Sequence, residues 1–501
     1  MTRSRERTAS PASGSIGSGA VTAAGLAVQQ GLAAVVGVII ARELGRTAET
    51  DGFFAAYGVF LVLAIVATAA RVVFLPPLTR ARGEGRLLGE TVGFGLALAI
   101  VALPVIVVAI VGADALAGVL TGFDEGLAWE TAAASLPWLV AAAVAQLYAG
   151  LAASALAALD DYRTAAFGYA AGSVLGLAFI LSRIGDDGID AVVRGVAING
   201  FVAFAIPAAA LAYRARGGAV RPRATPGALP RSAARLGAVL AGVAFPLAQQ
   251  GAYLICLPFA ADEGVGTVTS LGYAYIAGSA VIVITSSALA LVTSVPLTRS
   301  GVLDPVRVVR HVESSSWIGF IAVAVTTGVV ALVGPVLAEA ILGGAYGDSV
   351  GRELGRLVVA LAPWMLVTVG VVAAFPLAFV VDRGRSLLLL ALVVTALQLP
   401  LAWLGDALAG VYGLAAALAL STGVGLVLLL RILGAARVAL IRLAAAAAIV
   451  SALAVVSFVL PGLLLEPGLA ALCGVGLFAI ALAVARPAGL RSGWSYLRAL
   501  S

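Results

Sequence analysis

The sequence predicts an all-α polytopic membrane protein of about 14 transmembrane helices, built as two parallel six-helix repeats plus two C-terminal helices. Three observations predict it. Hydrophobic residues make up 62% and charged residues 11% of the 501 positions, with a mean hydropathy of +1.09. A soluble domain carries about a quarter charged residues, and a chain this apolar could not cover its own surface in water. Apolar runs of about 20 residues, enough to cross ~30 Å of hydrocarbon, recur along nearly the whole length. Finally, short motifs return at a spacing of about 220 residues.

The polar stretch 1–17 reads as a cytoplasmic tail. The apolar run after it is too long for a signal-peptide core and lacks a cleavage site, so it is expected to be an uncleaved first helix. The expected spans are 18–41, 52–78, 88–112, 131–158, 164–183 and 189–213 for a first lobe (18–213). Spans 236–261, 268–296, 316–341, 354–380, 386–404 and 409–431 form a second lobe (236–431), and 438–460 and 467–486 complete the C-terminal segment 432–501. Short joints favour antiparallel neighbours. The longest gap, 214–235, carries Arg214, Arg216, Arg221, Arg223, Arg231 and Arg235 with Pro222, Pro226 and Pro230, and reads as an extended basic linker.

All 31 basic residues are arginines. Alternate loops, starting with the N-terminal tail, hold 24 of them against six in the other set. By the positive-inside rule both termini lie in the cytoplasm, in agreement with an even helix count. The arginine-only usage and the Ala, Gly, Val and Leu bias suggest a GC-rich bacterial genome, hence a bacterial cytoplasmic membrane. The pI near 9.6 is explained by these loops and gives no reason to expect a nucleic-acid partner.

Three motif pairs define the repeat. Gln29-Gln30 returns as Gln249-Gln250, Pro77-Leu78-Thr79-Arg80 as Pro296-Leu297-Thr298-Arg299, and Asp161-Tyr162-Arg163 is echoed by Asp382-Arg383-Gly384-Arg385. Each unit holds an even number of helices, so the copies share one orientation and should be related by an axis along the membrane normal. Such lobes suit alternating access. Prolines inside helices are candidate hinges, with Pro246 and Pro258 making helix 7 the best bent element.

No enzyme is expected. Cys256 and Cys473 lie in separate apolar runs, and His311 falls in a basic loop, expected to be solvated. There is no metal or cofactor motif, no phosphate loop and no pair of intramembrane carboxylates.

Near helices 1 and 2 the chain reads Ala41-Arg42-Glu43-Leu44-Gly45, then Thr50-Asp51-Gly52-Phe53-Phe54-Ala55-Ala56. Helix 2 closes with Phe74-Leu75-Pro76-Pro77-Leu78, Leu159 to Arg163 precedes helix 5, and Val268 to Arg299 covers helix 8. These stretches resemble the MurJ/MviN family of the multidrug/oligosaccharidyl-lipid/polysaccharide (MOP) exporter superfamily, over both lobes and about the first 400 residues. The resemblance implies fourteen helices and a flippase that moves a lipid-linked, polyprenyl-pyrophosphate saccharide, as in peptidoglycan and cell-wall polysaccharide biosynthesis. Three cationic positions of the family pattern are missing. Gly58 to Ile65 carries no charge, 31–40 is wholly apolar, and Tyr275-Ile276 stands where the family has an Asp-Arg pair. The departures point away from lipid II, to a different lipid-linked glycan or to another branch of the superfamily.

Candidate cavity residues are Arg71, Gln29, Gln30, Gln249, Gln250, Tyr57, Gln146, Tyr273 and Tyr275, with Tyr148, Asn199 and Trp364 beside them. Arg71, placed inside a helix, either faces the cavity and pairs a substrate phosphate or snorkels to the headgroups. Mid-membrane amides need partners, from a facing helix or from a sugar. Arg42, Arg46 and Asp51 are candidate outer-gate residues, with Asp51 expected to cap helix 2 and the arginines to pair Glu43, Glu49 or Asp51. The expected partners are the lipid bilayer, the lipid-linked saccharide and a coupling ion. The alternatives are a multidrug-type antiporter or a non-transporting membrane scaffold of the same fold.

Overall fold

The computed structural model describes residues 31–216, 228–287, 304–380, 386–487 and 489–491. All regular structure among the described residues is helical. In chain order the helices are α1 (31–43), α2 (Ala48–Gly83), α3 (Leu87–Val111), the short α4 (Ala113–Thr121), α5 (Leu127–Ala158), α6 (Tyr162–Asp187) and α7 (Ile189–Arg216). The second half holds α8 (Ala228–Asp262), α9 (Thr267–Ile282), α10 (Pro305–Leu342), α11 (Asp348–Ala360), α12 (Ala362–Ala374), α13 (Leu377–Val380), α14 (Ser386–Ile432), α15 (Ala436–Leu464) and α16 (Pro467–Ala485). Each of the fourteen expected spans meets a helix, or a broken run of helices, in this order.

Several boundaries differ from the sequence reading for identifiable reasons. Helix α2 begins at Ala48, because Thr47 closes a capping box with Thr50. It also runs through Pro76 and Pro77 to Gly83, which a membrane helix tolerates when neighbours restore the freed backbone groups. Helix α8 begins at Ala228, within the expected linker. Pro230 falls in its first turn, where a missing N–H leaves no helical bond unmade. Arg221 and Arg223 lie outside the described residues, as do Gln29, Gln30 and 288–303. Helix α10 begins at Pro305 behind the capping carboxylate of Asp304, so His311 is buried in a helix instead of solvated in a loop.

Expected helix 10 is broken. Helices α11 and α12 meet at 41° around Leu361, with Pro363 in the first turn of α12. Expected helices 11 and 12 are the two arms of α14, folded back at Ala409 and Gly410; Gly410 has φ 55° and ψ −140°, a backbone open only to glycine. At this hairpin a β-carbon on Gly413 would strike the Gly405 carbonyl. The equivalent turn between α6 and α7 uses Gly188, with φ 53° and ψ −127°, and Gly176 there packs on Gly195.

Packing repeats as well. Helix α2 lies on α5 and α5 on α7; in the second lobe α9 lies on α11 and α12, and α12 on α14. Helices α15 and α16 form a pair docked on α10, where Phe458 fills the space left by Gly328 and Gly474. Helix α8 straddles the lobes. Val239 and Val243 join a cluster with Phe74, Phe94, Leu98 and Leu151 of the first lobe, whereas Phe245 to Ala261 belong to the main core.

Candidate functional site

The two lobes meet at both ends of α2, the Asp51 end and the end facing the linker. At the Asp51 end, Thr47 and not Asp51 caps α2: its Oγ1 accepts the Thr50 N–H, and Thr50 Oγ1 accepts the Thr47 N–H at 2.9 Å. Asp51 therefore sits in the first turn and reaches the other lobe. Helix α9 starts behind Gly266, which has no side chain to cap it. Asp51 supplies the missing acceptor. Its carboxylate accepts the Gly266 N–H, the Thr269 N–H at 2.8 Å and the Thr269 hydroxyl at 2.6 Å. A helix cap has been delivered from 215 residues away.

The arginines act differently from expectation. Arg46 pairs with Glu353 of α11, at 2.9 and 3.3 Å, and donates to the Gly266 carbonyl at 2.8 Å. Arg42 donates to the carbonyls of Ala340 and Ile341 at 2.6 and 2.9 Å, closing the C-terminus of α10. Neither pairs with Glu43, Glu49 or Asp51, because those carboxylates share the arginines' own lobe while the unsatisfied groups belong to the other. The Tyr346 hydroxyl also crosses the boundary, donating to the Gly45 carbonyl at 3.3 Å.

An aromatic layer lies beneath this polar one. Tyr57 stacks between Phe53 and Phe60 at 5.3 and 5.2 Å, and Phe54 meets Tyr273 edge-on at 4.8 Å. Tyr273 in turn contacts Tyr346 at 5.5 Å and donates to the Gly37 carbonyl at 2.9 Å. Gly58 faces Leu254 and Gly272 faces Phe54 so closely that added β-carbons would sit 2.7 and 2.8 Å from them. The lobes are shut here.

The remaining expected cavity residues do not form one surface. Gln250 accepts the Tyr275 hydroxyl at 2.5 Å, and Tyr275 is packed between Tyr253 at 4.2 Å and Trp364 at 4.7 Å within the second lobe. Gln249 has a buried amide nitrogen with no partner among the described residues. Gln146 is buried on α5, Tyr148 turns to the Gly95 carbonyl of α3 at 3.0 Å, and Asn199 lies against Gly172 between α6 and α7. Arg71 runs along Gly150 of α5 and places its guanidinium 5.7 Å from the Tyr169 ring centre. Among the described residues it has no carboxylate partner.

At the linker end, Arg235 of α8 forms a two-pronged ion pair with Glu90 of α3, at 2.8 and 2.5 Å. Its guanidinium also lies 5.6 Å from the Phe94 ring centre. Arg235 thus belongs to α8 and pairs across the lobes, where the sequence reads as the end of an extended basic linker. An acidic residue in the first turn of helix 3 was the available signal. Other pairs stay inside the first lobe, among them Arg82 with Asp160 at 2.6 Å, and Arg214 with Asp161. Burial works against charge on Asp161, but the Thr164 N–H and hydroxyl and the Arg214 guanidinium outweigh it and hold its carboxyl below the usual 3.8.

Among the described residues no three His, Cys, Asp or Glu side chains are grouped to hold a metal. The arrangement holds the two lobes together at two ends and leaves the Arg71 charge without a carboxylate among the described residues.

No family model matches the sequence, and no curated protein matches it either. Solved structures do match. The chain superimposes on the lipid II flippase MurJ in an inward closed conformation with a TM-score of 0.72 at 13% identity, covering 92% of this chain and 98% of that one. It matches an inward-facing multidrug resistance MATE family transporter of the MOP superfamily with a TM-score of 0.63 at 15% identity, over 83% and 95% of the two chains. A MATE in a bent conformation follows at 0.56 and 17% identity, over 86% and 95%. The chain has the fold of these MurJ and MATE structures.

Proposed function

We propose that this chain is a membrane transporter that flips a lipid-linked, polyprenyl-pyrophosphate saccharide by alternating access between its two lobes. It is not read as an enzyme. The MOP fold supports transport, and Arg71 carries the choice of substrate. A guanidinium held inside a membrane helix without a carboxylate is costly unless an anion completes it. The polyprenyl tail would stay in lipid, the phosphates would meet Arg71, and the sugars would meet amides and rings such as Gln249, Gln250 and Tyr57 once the lobes part. The loop arginine bias supports a cytoplasmic linker end, and the arginine-only, Ala- and Gly-rich composition supports a bacterial cytoplasmic membrane. Arg42, Arg46 and Asp51, with Glu353, Gly266 and Thr269, would then form the outer gate.

The multidrug reading is favoured by the MATE likeness. A cationic drug would need a free carboxylate: Asp51 at the lobe boundary already accepts three hydrogen bonds, which leaves Asp406 of α14, whose Oδ1 has no partner among the described residues. The deciding experiment is movement of a fluorescent polyprenyl-pyrophosphoryl glycan in proteoliposomes. Transport should occur with the intact protein and fall at least about tenfold in Arg71→Gln, which loses a charge-assisted phosphate contact without losing a structural ion pair. If several glycans behave as in empty vesicles while a cationic dye is moved, the antiporter reading replaces this one. If nothing is moved, the scaffold reading does.

A further inference from the structure

We propose that the Glu90–Arg235 pair is an anion-operated latch: a phosphate group arriving at the linker end takes Glu90's place on Arg235 and frees the lobes to part there. This rests on the anionic substrate proposed above. It names a second phosphate contact, distinct from Arg71, and the step that contact controls.

The pair is built for exchange. It joins α3 of one lobe to α8 of the other, so separation at this end must break it. A guanidinium fork meets a phosphate with the same two parallel hydrogen bonds it makes to a carboxylate. Arg235 is also held independently of Glu90. Gly93 leaves the slot its guanidinium fills, where any β-carbon would collide, and Phe94 supplies a ring beneath the charge. The arginine would therefore keep its place while changing partners.

Glu90 is provided for as well. It lies in the first turn of α3, whose N-cap Arg86 makes no side-chain cap, so the exposed N–H groups and helix dipole favour a carboxylate there after release. The pair is neither sealed nor bathed: its side chains are 12% and 15% accessible. At the same end of the first lobe, where α2 and α7 finish and α6 begins, Arg80, Arg216 and Arg163 are exposed and have no carboxylate partner among the described residues, a positive charge that draws anions. Behind the pair, Val239 and Val243 seal α8 onto Phe74 and Phe94, the packing that must open next.

The test uses the full chain in vesicles, with Cys256→Ala and Cys473→Ala and a reporter, Val239→Cys, which is buried until this end opens. A water-soluble maleimide measures opening, in zwitterionic vesicles alone, with inorganic pyrophosphate, or with a long-chain polyprenyl phosphate in the membrane. Either phosphate should raise the labelling rate about tenfold, the scale of a charge-assisted hydrogen bond. Acceleration by the lipid alone names a headgroup as the source, and acceleration by both names free phosphate as sufficient. Arg235→Gln should label fast and ignore both. Arg235→Lys keeps the charge, loses the fork and should respond weakly. Exchanging the two residues, Glu90→Arg with Arg235→Glu, should restore slow labelling. The proposal is overturned if neither phosphate accelerates labelling, or if Arg235→Gln still responds. Failure to move any glycan while pyrophosphate still opens the latch would sink the flippase reading and leave this one standing.

Discussion

Thr50 and Thr269 stand 219 residues apart at the same place in two copies of one fold, and their hydroxyl oxygens lie 3.2 Å from each other across the lobe boundary. Helices α2 and α9, which carry them, start at Ala48 and Thr267, the same interval apart. A residue that contacts its own counterpart marks a two-fold axis, so the axis relating the lobes passes between these threonines. The hairpin glycines Gly188 and Gly410, with nearly equal backbone angles, confirm the repeat far from the axis. The symmetry breaks one turn away: Thr47 caps its own helix, while its counterpart Gly266 cannot and borrows Asp51.

Removing either hydroxyl should weaken the closed lobe boundary by about 1 kcal/mol, and removing both should cost less than the sum. A double-mutant cycle of Thr50→Val and Thr269→Val, followed by thermal unfolding in detergent, reads this coupling. Strictly additive losses would show that the contact is not made.

Asp51→Ala leaves the Gly266 and Thr269 amides without an acceptor, at a cost of roughly 2–4 kcal/mol to the closed state. Hydrogen exchange at those two amides should rise sharply. Glu49→Ala, in the same first turn but exposed, should leave them protected.

Gly413→Ala places a β-carbon on the Gly405 carbonyl and should prevent the α14 hairpin from closing, destabilising the protein by about 3 kcal/mol or more. Gly423→Ala, further along the same helix in open space, should be neutral or mildly stabilising. Yield of folded protein after detergent extraction separates the two. Equal yields would contradict the hairpin geometry.

Asp161 has its folded-state pKa shifted down, so its ionised form is the stabilising one. Its contribution is fully present above the ordinary value of 3.8 and disappears as pH falls through the lowered folded value. Melting temperatures of the wild type and Asp161→Asn should differ by a constant amount near neutrality and converge in acid. A difference that grows in acid would reverse the assignment.

Much of this was legible in the sequence. Hydrophobic runs located the helices, since a bilayer demands uninterrupted apolar length, and the offset near 220 located the duplication. The errors came at helix starts. Asp304-Pro305 is a cap followed by a proline suited to the first turn, yet the basic residues Arg307 and Arg310 made that stretch read as a loop and hid the burial of His311. Asp51 is a cap, as its place before an apolar run suggests, but of α9 and not of its own helix, a pairing that adjacent residues cannot reveal.

By itself the sequence determined the solvent, the repetition of the helices and the sparseness of cations inside them. Each of these follows from local composition, which lipid reads one segment at a time. Tertiary structure alone decided the partners: Asp51 with Thr269, Arg46 with Glu353, Arg235 with Glu90, and Arg71 with a ring in place of a carboxylate. These pairs span 145 to 307 positions where they cross the lobe boundary. No local pattern encodes them, because hydrogen bonds and ion pairs act over a few ångströms and the chain has to fold before those ångströms exist.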